Sequence, residues 1–515
     1  MTLEDFYSEL IALSEDDLKA MLERRHPDYA EKLPHWNFLK ATYDGGRDWF
    51  ETNIFKYIKE GDQEFKERKK RAYRFNHTRE IVDLVNKYIF KADINRRTED
   101  APESIKKYWK AATLRSRPVE EFMKLVSAKA SIYGKVWVVV DTNKRTSGGT
   151  AAEDAELGNR VYSYIVEPQD ALDMAFSKDG HIEWVIIREF RRDDGTAWSS
   201  GGMSTQYRLW TPQFWALFKE EKKKDSNQKS YYLADIDQHG LGMVPAFPVD
   251  HVMDEDNYSG QALIDDTAYL DRAVANYLSN LDAIIQDQTF SQLVIPAQAM
   301  LPGEDGHAKL LEMGTKRIFT YDGQANIKPE YISPDVRQVG IILSVAEKII
   351  SEIYHSTGMA GERTKFDNSS GVAKAYDFDK MNAMLASKAI SLEQGEETLM
   401  KLVSAYNSET FVPKERKLVE YPKNFDVRGL YDEFEIAQRL ALAGAPKLVR
   451  REQMKAVAAK LFPTVKDSVL KKIEAEIEND WLEIPEDLLS EPGSPPVPSQ
   501  ENRQGQNTKG DKTIE

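Results

Sequence analysis

Apolar residues in the first quarter of the chain recur at helical spacing. The pattern predicts short helices over Leu10–Arg24, Trp36–Asp48, Arg79–Phe90 and Pro118–Lys129. Each helix has one apolar face, which it is expected to bury against its neighbours. The sequence therefore predicts that the N-terminal part is a packed set of short helices.

From Ile132 the pattern changes to β-branched and aromatic runs that are typical of strands. The run Tyr133–Asp141 predicts a buried strand, and further runs follow between residues 163 and 236. The polar stretches Asn143–Asn159 and Gly195–Gly202 are interpreted either as plain strand connections or as functional loops. The segment from about residue 132 to residue 259 is thus expected to be β-rich.

Two long helices with continuous apolar seams are predicted next, over 260–288 and 333–355. Strand-like runs near Leu293–Ile295 and Arg317–Thr320 lie between them, so we interpret 289–332 as a β-rich insertion. The seam residues are Leu263, Leu270, Val274 and Leu281 in the first helix and Val339, Leu343 and Ile350 in the second. Their intervals of three and four residues indicate packing along a helix face.

A loop rich in glycine is predicted over 356–370, and it carries two cations, Arg363 and Lys365. Gly358 and Gly361 permit backbone angles that other residues avoid. The loop is interpreted either as a contact for a nucleic-acid backbone or as a plain connection between helices. The helix that follows has an apolar seam that continues to Tyr406, well beyond the average helix length.

The end of the chain is predicted to contain a small helical unit and a tail. A strand-like link leads into helical segments over 426–489, which Gly444, Pro446 and Pro463 interrupt. From residue 490 the composition is Pro, Ser, Gln and charged residues, which is typical of disorder. The tail is therefore expected to be disordered over 490–515.

Composition narrows the possible functions. The 515 residues carry a formal net charge of -15, which argues against a conventional nucleic-acid-binding protein because Lys and Arg supply most non-specific affinity. There is no cysteine, so disulfides and thiolate metal sites are excluded. No stretch approaches the roughly 20 apolar residues of a membrane span, so no membrane partner is expected.

The only dense basic cluster is Lys66–Arg74, with Tyr73 and Phe75 available for stacking. We favour pairing of these cations with acidic residues such as Glu64, or with a neighbouring subunit, over a nucleic-acid patch. The first long helix carries the acidic residues Asp265, Asp266, Asp271, Asp282 and Asp287. They are interpreted either as a solvated helix surface or as the lining of a channel.

Nothing in the sequence indicates catalysis. It lacks a phosphate-binding P-loop, a dinucleotide-binding glycine motif, a zinc-protease motif and a nucleophile elbow. The eight histidines are scattered without the spacing of metal ligands. We therefore predict no enzyme activity, no cofactor and no metal; the alternatives are a hydrolase that uses carboxylates, or an adaptor that does not form rings.

Two features resemble the portal proteins of tailed bacteriophages. The segment Tyr43–Ile94 combines a glycine-rich turn, a basic and aromatic run, an Asn and an aliphatic helix that ends near a Phe. From Gly260 to Tyr406 the order is helix, β-rich insertion, helix, glycine-rich loop and long helix. The resemblance covers nearly all of the chain up to the tail.

The resemblance implies an α+β fold, mainly α, with wing, stem, clip and crown. It implies an N-terminal wing over 1–259, stem helices over 260–288 and 333–355, and a clip over 289–332. It also implies a tunnel loop over 356–370, a wing helix and strand over 371–425 and a crown over 426–489. Within the tunnel loop, Gly358, Gly361, Arg363 and Lys365 would face DNA.

The same resemblance implies a ring, expected to be dodecameric, at one vertex of the virion capsid. This ring would be the conduit for packaging and ejection of double-stranded DNA, without sequence specificity. Its implied partners are the large terminase subunit, the head-to-tail adaptor, and the major capsid and scaffolding proteins, with assembly in the host cytoplasm. From the seam we predict that Leu270→Asp or Leu281→Asp prevents ring formation and leaves helicity largely intact.

Overall fold

The computed structural model describes most of the chain in two units, Met1–Phe425 and Asp426–Glu515. The described residues are 1–58, 60–91, 94–143, 158–222, 229–254, 258–289, 292–296, 318–321, 330–332, 337–359, 371–409, 417–423, 425, 439–440, 443, 446–461 and 467–479. The predicted tail at 490–515 lies outside these residues. The part described has an α+β fold in which helices dominate.

Eight helices form the N-terminal part of the first unit. They are α1 Leu3–Ala12, α2 Glu15–Glu23, α3 Tyr29–Asp44, α4 Arg47–Asn53, α5 Asp62–Arg71, α6 His77–Ile89, α7 Glu103–Lys110 and α8 Val119–Tyr133. The short helices predicted from apolar spacing are thus present, although two of the predicted ranges each contain parts of two helices. Leu10–Arg24 is divided because Ser14 caps α2, and Trp36–Asp48 is divided between α3 and α4 because Gly45 and Gly46 have positive φ angles.

Helix α6 lies at the centre of this part. Its residues Ile81, Val82, Val85 and Ile89 recur at helical spacing and are all fully buried in the main hydrophobic core. Asn76 precedes the helix and accepts a hydrogen bond from the backbone N–H of Arg79 at 3.0 Å, which caps the first turn. The helix is therefore fixed both by its apolar face and by its cap.

The β-rich segment forms two antiparallel sheets. Strands β2 Lys135–Thr142, β3 Val161–Val166 and β9 Ala246–Asp250 make a sheet of order β3-β2-β9. Strands β4 Ala171–Phe176, β5 Ile182–Arg192, β6 Met203–Trp210, β7 Phe214–Lys222 and β8 Lys229–Gln238 form a meander in sequence order. The strand predicted to start at Tyr133 begins two residues later, because α8 continues through Tyr133 and Gly134 ends it.

The start and the end of this β-rich segment meet at two glycines. Gly134 has a φ of +84°, and a Cβ atom there would lie 2.7 Å from the backbone oxygen of Gly260. The backbone N–H of Leu263 donates to the oxygen of Ser131 at 3.0 Å, and that of His251 donates to the oxygen of Gly134 at 2.7 Å. Only glycine permits this approach of two backbones.

Three long helices follow: α9 Thr267–Thr289, α10 Arg337–Ser356 and α11 Gly371–Tyr406. Between α9 and α10, strands β10 Gln292–Pro296, β11 Ile318–Tyr321 and β12 Glu330–Ile332 form a sheet of order β11-β10-β12. Helix α9 begins at Thr267 and not at residue 260 as predicted, because Gly260 has a φ of +62° and residues 263–266 form turns.

A two-stranded sheet joins distant parts of the first unit, since β1 Asn95–Arg96 pairs antiparallel with β13 Val419–Glu420. The second unit contains helices α12 Lys447–Leu461 and α13 Asp467–Asn479. Lys455 of α12 donates to Glu478 of α13 at 2.6 Å, which links the two helices.

Candidate functional site

The N-terminal turn of α6 holds helix α9. Asp271 of α9 is fully buried, and its Oδ1 accepts a hydrogen bond from His77 Nδ1 at 3.1 Å. Its Oδ2 accepts from Thr78 Oγ1 at 2.8 Å and from the Thr78 backbone N–H at 3.4 Å. The carboxylate therefore lies at the positive end of the α6 dipole, where a negative charge is stabilised.

Helix α10 contacts the same turn. The Tyr354 hydroxyl donates to Glu80 Oε2 at 2.7 Å, and the Tyr354 ring lies edge-on to the His77 ring with centroids 6.0 Å apart. Ile353 belongs to the main core together with Val274 of α9. One turn of α6 thus positions both helices of the α9–α10 pair.

The basic cluster at Lys66–Arg74 docks onto α9. Arg68 is buried, and its guanidinium donates to both carboxylate oxygens of Glu60 at 2.8 Å. It also donates to Ser279 Oγ of α9 at 3.0 Å and to the backbone oxygen of Phe55 at 2.8 Å. The sequence predicts pairing with acidic residues such as Glu64; the carboxylate that binds Arg68 in the structure is that of Glu60.

Two further cations of this cluster approach α9. Arg71 Nε donates to Asp282 Oδ2 at 3.2 Å. Arg74 is buried over the Trp49 ring, and its Nη1 lies 3.8 Å from Asp271 Oδ2. These arginines serve internal packing of the subunit, which favours the interpretation as a salt-bridged surface over a nucleic-acid patch.

A third set of contacts joins α9 to the segment after α4. Asn276 Oδ1 accepts from the Phe55 backbone N–H at 2.9 Å, and its Nδ2 donates to the Asn53 oxygen at 2.9 Å. The Arg272 guanidinium lies 4.6 Å from the Phe38 ring centroid and 5.2 Å from that of Phe55. Such cation–π contacts add to the attachment.

The predicted loop starts with a fixed turn at the end of α10. Gly358 has a φ of +71°, and the Met359 backbone N–H donates to the Tyr354 oxygen at 2.7 Å. Met359 is buried, and the site of a Gly358 Cβ is 3.6 Å from the backbone nitrogen of Met381 in α11. The predicted loop residues Gly361, Arg363 and Lys365 lie outside the described residues.

The predicted seam residues occupy different environments. Val274 and Leu281 are buried, Leu270, Val339 and Ile350 are half-buried, and Leu343 is exposed. Leu263 lies before α9 begins. Val274 and half-buried Leu270 and Ile350 belong to or pack against the main core of the same chain.

The five acidic residues predicted to lie on other faces of the first long helix also occupy different environments, and two of them, Asp265 and Asp266, precede α9. Asp265 Oδ1 interacts with His35 Nε2 at 2.8 Å, and Asp282 with Arg71, whereas Asp266 is exposed. The Asp287 side chain lies outside the described part. For Asp271 neither a solvated surface nor a channel lining applies, because its carboxylate is enclosed by α6.

A buried polar cluster connects α11 to α8 and β9. Lys388 is fully buried, and its Nζ donates to the Ser127 oxygen at 2.8 Å and to Ser131 Oγ. It lies 3.0 Å from His251 Nδ1. Burial lowers the pKa of Lys388 to about 7, and it lowers the pKa of His251 well below its usual value.

Sequence reasoning missed the buried charges Asp271 and Lys388. Both are charged residues within long helices, and charged residues in helices normally face water. Only the partners on α6 and α8, which are distant in sequence, make burial possible. Within the described part, no group of three histidine or carboxylate residues is arranged as a metal site, and no helix is long and apolar enough to span a membrane.

Comparison with known proteins identifies the family. A model of phage portal proteins of the SPP1 Gp6-like type matches residues 24–480. The chain therefore belongs to the phage portal protein family, a family of structural proteins that form the portal ring at the head–tail connection of the virion. No curated protein matches the chain.

Three solved structures to which the chain is similar come from gene transfer agent particles. The neck of a native particle computed with C12 symmetry has a TM-score of 0.39 and 11% identity, covering 88% of this chain and 94% of that chain. A virion of the native particle gives 0.37 and 9%, with 82% and 90% covered. The neck of an empty particle computed with C6 symmetry gives 0.36 and 10%, with 72% and 90% covered.

Proposed function

We propose that α9 and α10 are the stem of the portal subunit, and that α6, as part of the wing, attaches this stem to the rest of the wing. The observation that carries the proposal is the contact of one α6 turn with both helices, through Asp271 on α9 and Tyr354 on α10. Because both helices are attached to the same turn, both are expected to follow any movement of α6.

The remaining parts follow the order of elements. Residues 289–332 with β10–β12 form the clip, 356–370 the tunnel loop, 371–425 the wing helix and strand, and 426–489 the crown. Residues 1–259 form the remaining wing. The subunits assemble into a dodecameric ring whose channel passes double-stranded DNA during packaging and ejection.

The charge of the protein suits a conduit. A net charge of -15 keeps a polyanion from adhering to the channel wall. Arg68 and the Arg74 side chain are buried against α9, and exposed Arg71 is paired with Asp282, so the charges of these arginines are engaged within the subunit. Arg363 and Lys365 are the cations of the tunnel loop, where they contact the DNA backbone transiently.

The partners follow from this placement. The clip binds the large terminase subunit during packaging and the head-to-tail adaptor afterwards, and the wing contacts the major capsid and scaffolding proteins. The ring lies at the portal vertex of the virion after assembly in the host cytoplasm. The subunit itself has no catalytic activity and no cofactor, since the packaging motor supplies the chemical energy.

The first test is the mass and shape of the purified protein, from native mass spectrometry and negative-stain imaging at two concentrations. Rings with a central hole, and a mass of about twelve subunits, are expected. A compact monomer at both concentrations would contradict self-assembly and favour an adaptor that does not form rings.

The tunnel loop requires a separate test. Deletion of Met359–Lys365, predicted to permit assembly and to impair packaging, would also remove buried Met359. Deletion of residues 360–365 keeps Met359 and is the sharper variant. We expect rings of normal size and reduced DNA packaging or retention from it, measured as protected DNA per particle. Normal packaging would exclude the assigned role of the loop.

A further inference from the structure

A short segment after α4 exposes three large apolar side chains. The exposed fractions are 56% for Phe55, 62% for Tyr57 and 96% for Ile58. Large apolar residues that cluster on a surface commonly mark an interface. We name Phe55, Tyr57 and Ile58 the apolar loop.

The apolar loop is held in place on α9. Phe55 bonds through its backbone N–H to Asn276 and through its backbone oxygen to Arg68. The backbone N–H of Tyr57 donates to Glu60 Oε2 at 3.2 Å, and Glu60 is itself fixed by Arg68. Because these contacts order the loop before binding, a partner meets a preformed surface, which reduces the entropic cost of association.

Helix α10 carries a second exposed apolar surface. Ile341 is 64% exposed and Val345 is 37% exposed, and they lie one turn apart on the same helix face. Together with Arg337, Gly340, Ser344 and Lys348 they line a shallow groove of about 460 Å³. A Cβ atom at Gly340 would meet nothing within 4 Å, so this end of the groove is open.

The apolar loop and the groove lie on opposite sides of the α9–α10 pair. On α9, Asn276 contacts the loop, whereas Val274 and Leu278, each two residues away and so on nearly the opposite helix face, belong to the main core with Ile353 of α10. Ile341 and Val345 lie on the face of α10 that points away from this core. The order across the pair is therefore loop, α9, α10 and groove.

We propose that the apolar loop of one subunit packs into the α10 groove of the next subunit in the ring. The inference depends on the ring proposed above. A closed ring needs two different, complementary surfaces on each subunit, and these must face opposite neighbours. The loop and the groove meet both conditions, so the occupant of the groove is a second copy of this chain.

Charge supports the same occupant. Copies with a net charge of -15 repel each other, so their contact needs apolar anchors and local charge complementarity. Lys348 lines the groove, and Glu64 lies in the first turn of the helix that follows the apolar loop; the nearby Asp62 is paired with Lys56 of the loop segment. Ile58 is the expected central anchor, because anchors at the centre of an interface dominate its energy.

Because the sequence contains no cysteine, introduced cysteines are the only thiols that can form cross-links. In the full chain with Ile58→Cys and Val345→Cys, oxidation or a short bismaleimide is expected to give a ladder of multimers up to the closed ring. Each single variant is expected to give none. Rings by imaging without a ladder would overturn this inference and leave the portal assignment intact.

The single variants also test symmetry. Covalent dimers from Ile58→Cys alone would show a loop-to-loop contact and overturn the inference. An unchanged chain that forms no ring at any concentration would overturn the ring itself and the inference with it. The cross-linking and imaging results thus separate the two failures.

An independent variant tests the energy of the contact. Ile58→Asp is expected to raise the protein concentration needed for half-maximal ring assembly at least tenfold, with unchanged thermal stability of the subunit. Met203→Asp is the matched control, because Met203 is an exposed apolar residue on the β5–β6 hairpin. Equal assembly by both variants would contradict the assignment of the loop.

Discussion

The carboxylate of Asp271 accepts the hydroxyl hydrogen of Thr78 at 2.8 Å, across 193 positions of sequence. The pair joins the middle of the chain to the capped start of α6. Since His77 donates to the same carboxylate, the buried charge has partners on two successive residues. This contact defines how α9 is oriented on the N-terminal helices.

Removal of the Asp271 carboxylate should destabilise the first unit. We expect Asp271→Ala to lower the free energy of unfolding by about 2–4 kcal/mol, because His77 and Thr78 then lose a buried acceptor. Asp266→Ala removes an exposed carboxylate immediately before α9 and should cost less, about 1 kcal/mol. Urea unfolding of both variants measures the difference; equal midpoints would show that the buried contact contributes nothing.

Arg68 should be the most important cation of its cluster. Arg68→Met leaves the Glu60 carboxylate without its bidentate partner, so we expect a loss of about 3 kcal/mol in unfolding free energy. Lys70→Met removes an exposed cation with a weak contact to Glu67 and should change stability by less than about 0.5 kcal/mol. Chemical denaturation measures the unfolding free energy of both variants. If Lys70→Met were as unstable as Arg68→Met, Arg68 would have no special role in attaching the cluster to α9.

Lys388 should make stability depend on pH. Its pKa in the folded chain is about 7, against about 10.4 in an unfolded chain, so the unfolded chain binds more protons between these values. Stability therefore rises as pH increases from 7 to 9, by about 2 kcal/mol from this residue alone. Below pH 7 the full cost of burying the charge is present.

The variant Lys388→Met isolates this contribution. We expect the slope of unfolding free energy against pH between 7 and 9 to be smaller than in the unchanged chain, since Met does not titrate. Lys380→Met, at an exposed position on the same helix, should keep the original slope. Parallel curves for the unchanged chain and Lys388→Met would show that the amine is charged or solvated in the folded state.

The seam variants should differ from each other. Leu281 is buried within the subunit, so Leu281→Asp is expected to destabilise the fold by more than about 3 kcal/mol as well as prevent ring formation. Leu343 is exposed, and Leu343→Asp should leave subunit stability within about 0.5 kcal/mol of the original. Thermal unfolding monitored by circular dichroism distinguishes them, and an unchanged melting temperature for Leu281→Asp would contradict its burial.

Local patterns predicted most of the elements. The helices around α3, α6 and α8, the strand at β2 and the long helices α9 to α11 follow from apolar spacing, which depends on nearby residues only. The strands at Gln292–Pro296 and Ile318–Tyr321 also lie where β-branched runs predict them. The ends of elements differ from the predicted ones where a glycine with a positive φ angle sets them, as Gly134 does at the end of α8 and Gly260 does before α9.

The candidate site was less predictable, because its contacts join residues that are far apart in sequence. Nothing near Asp271 distinguishes it from exposed Asp266, and its burial depends on His77 and Thr78. The basic cluster is recognisable from its many cations in a short stretch. Internal pairing with carboxylates is the favoured interpretation because the chain carries an excess of acidic residues. Its true partners, Ser279 and Asp282, required the fold.

The contact between Gly134 and Gly260 has a consequence for how this chain diverges. The backbone leaves the helical part and returns to it at one point, so residues 135–259 are inserted as a closed excursion with adjacent ends. Lengthening or shortening its hairpins leaves the start of α9 where it is. Evolution is therefore free to remodel the outer hairpins of the β-rich segment while the start of α9 keeps its geometry.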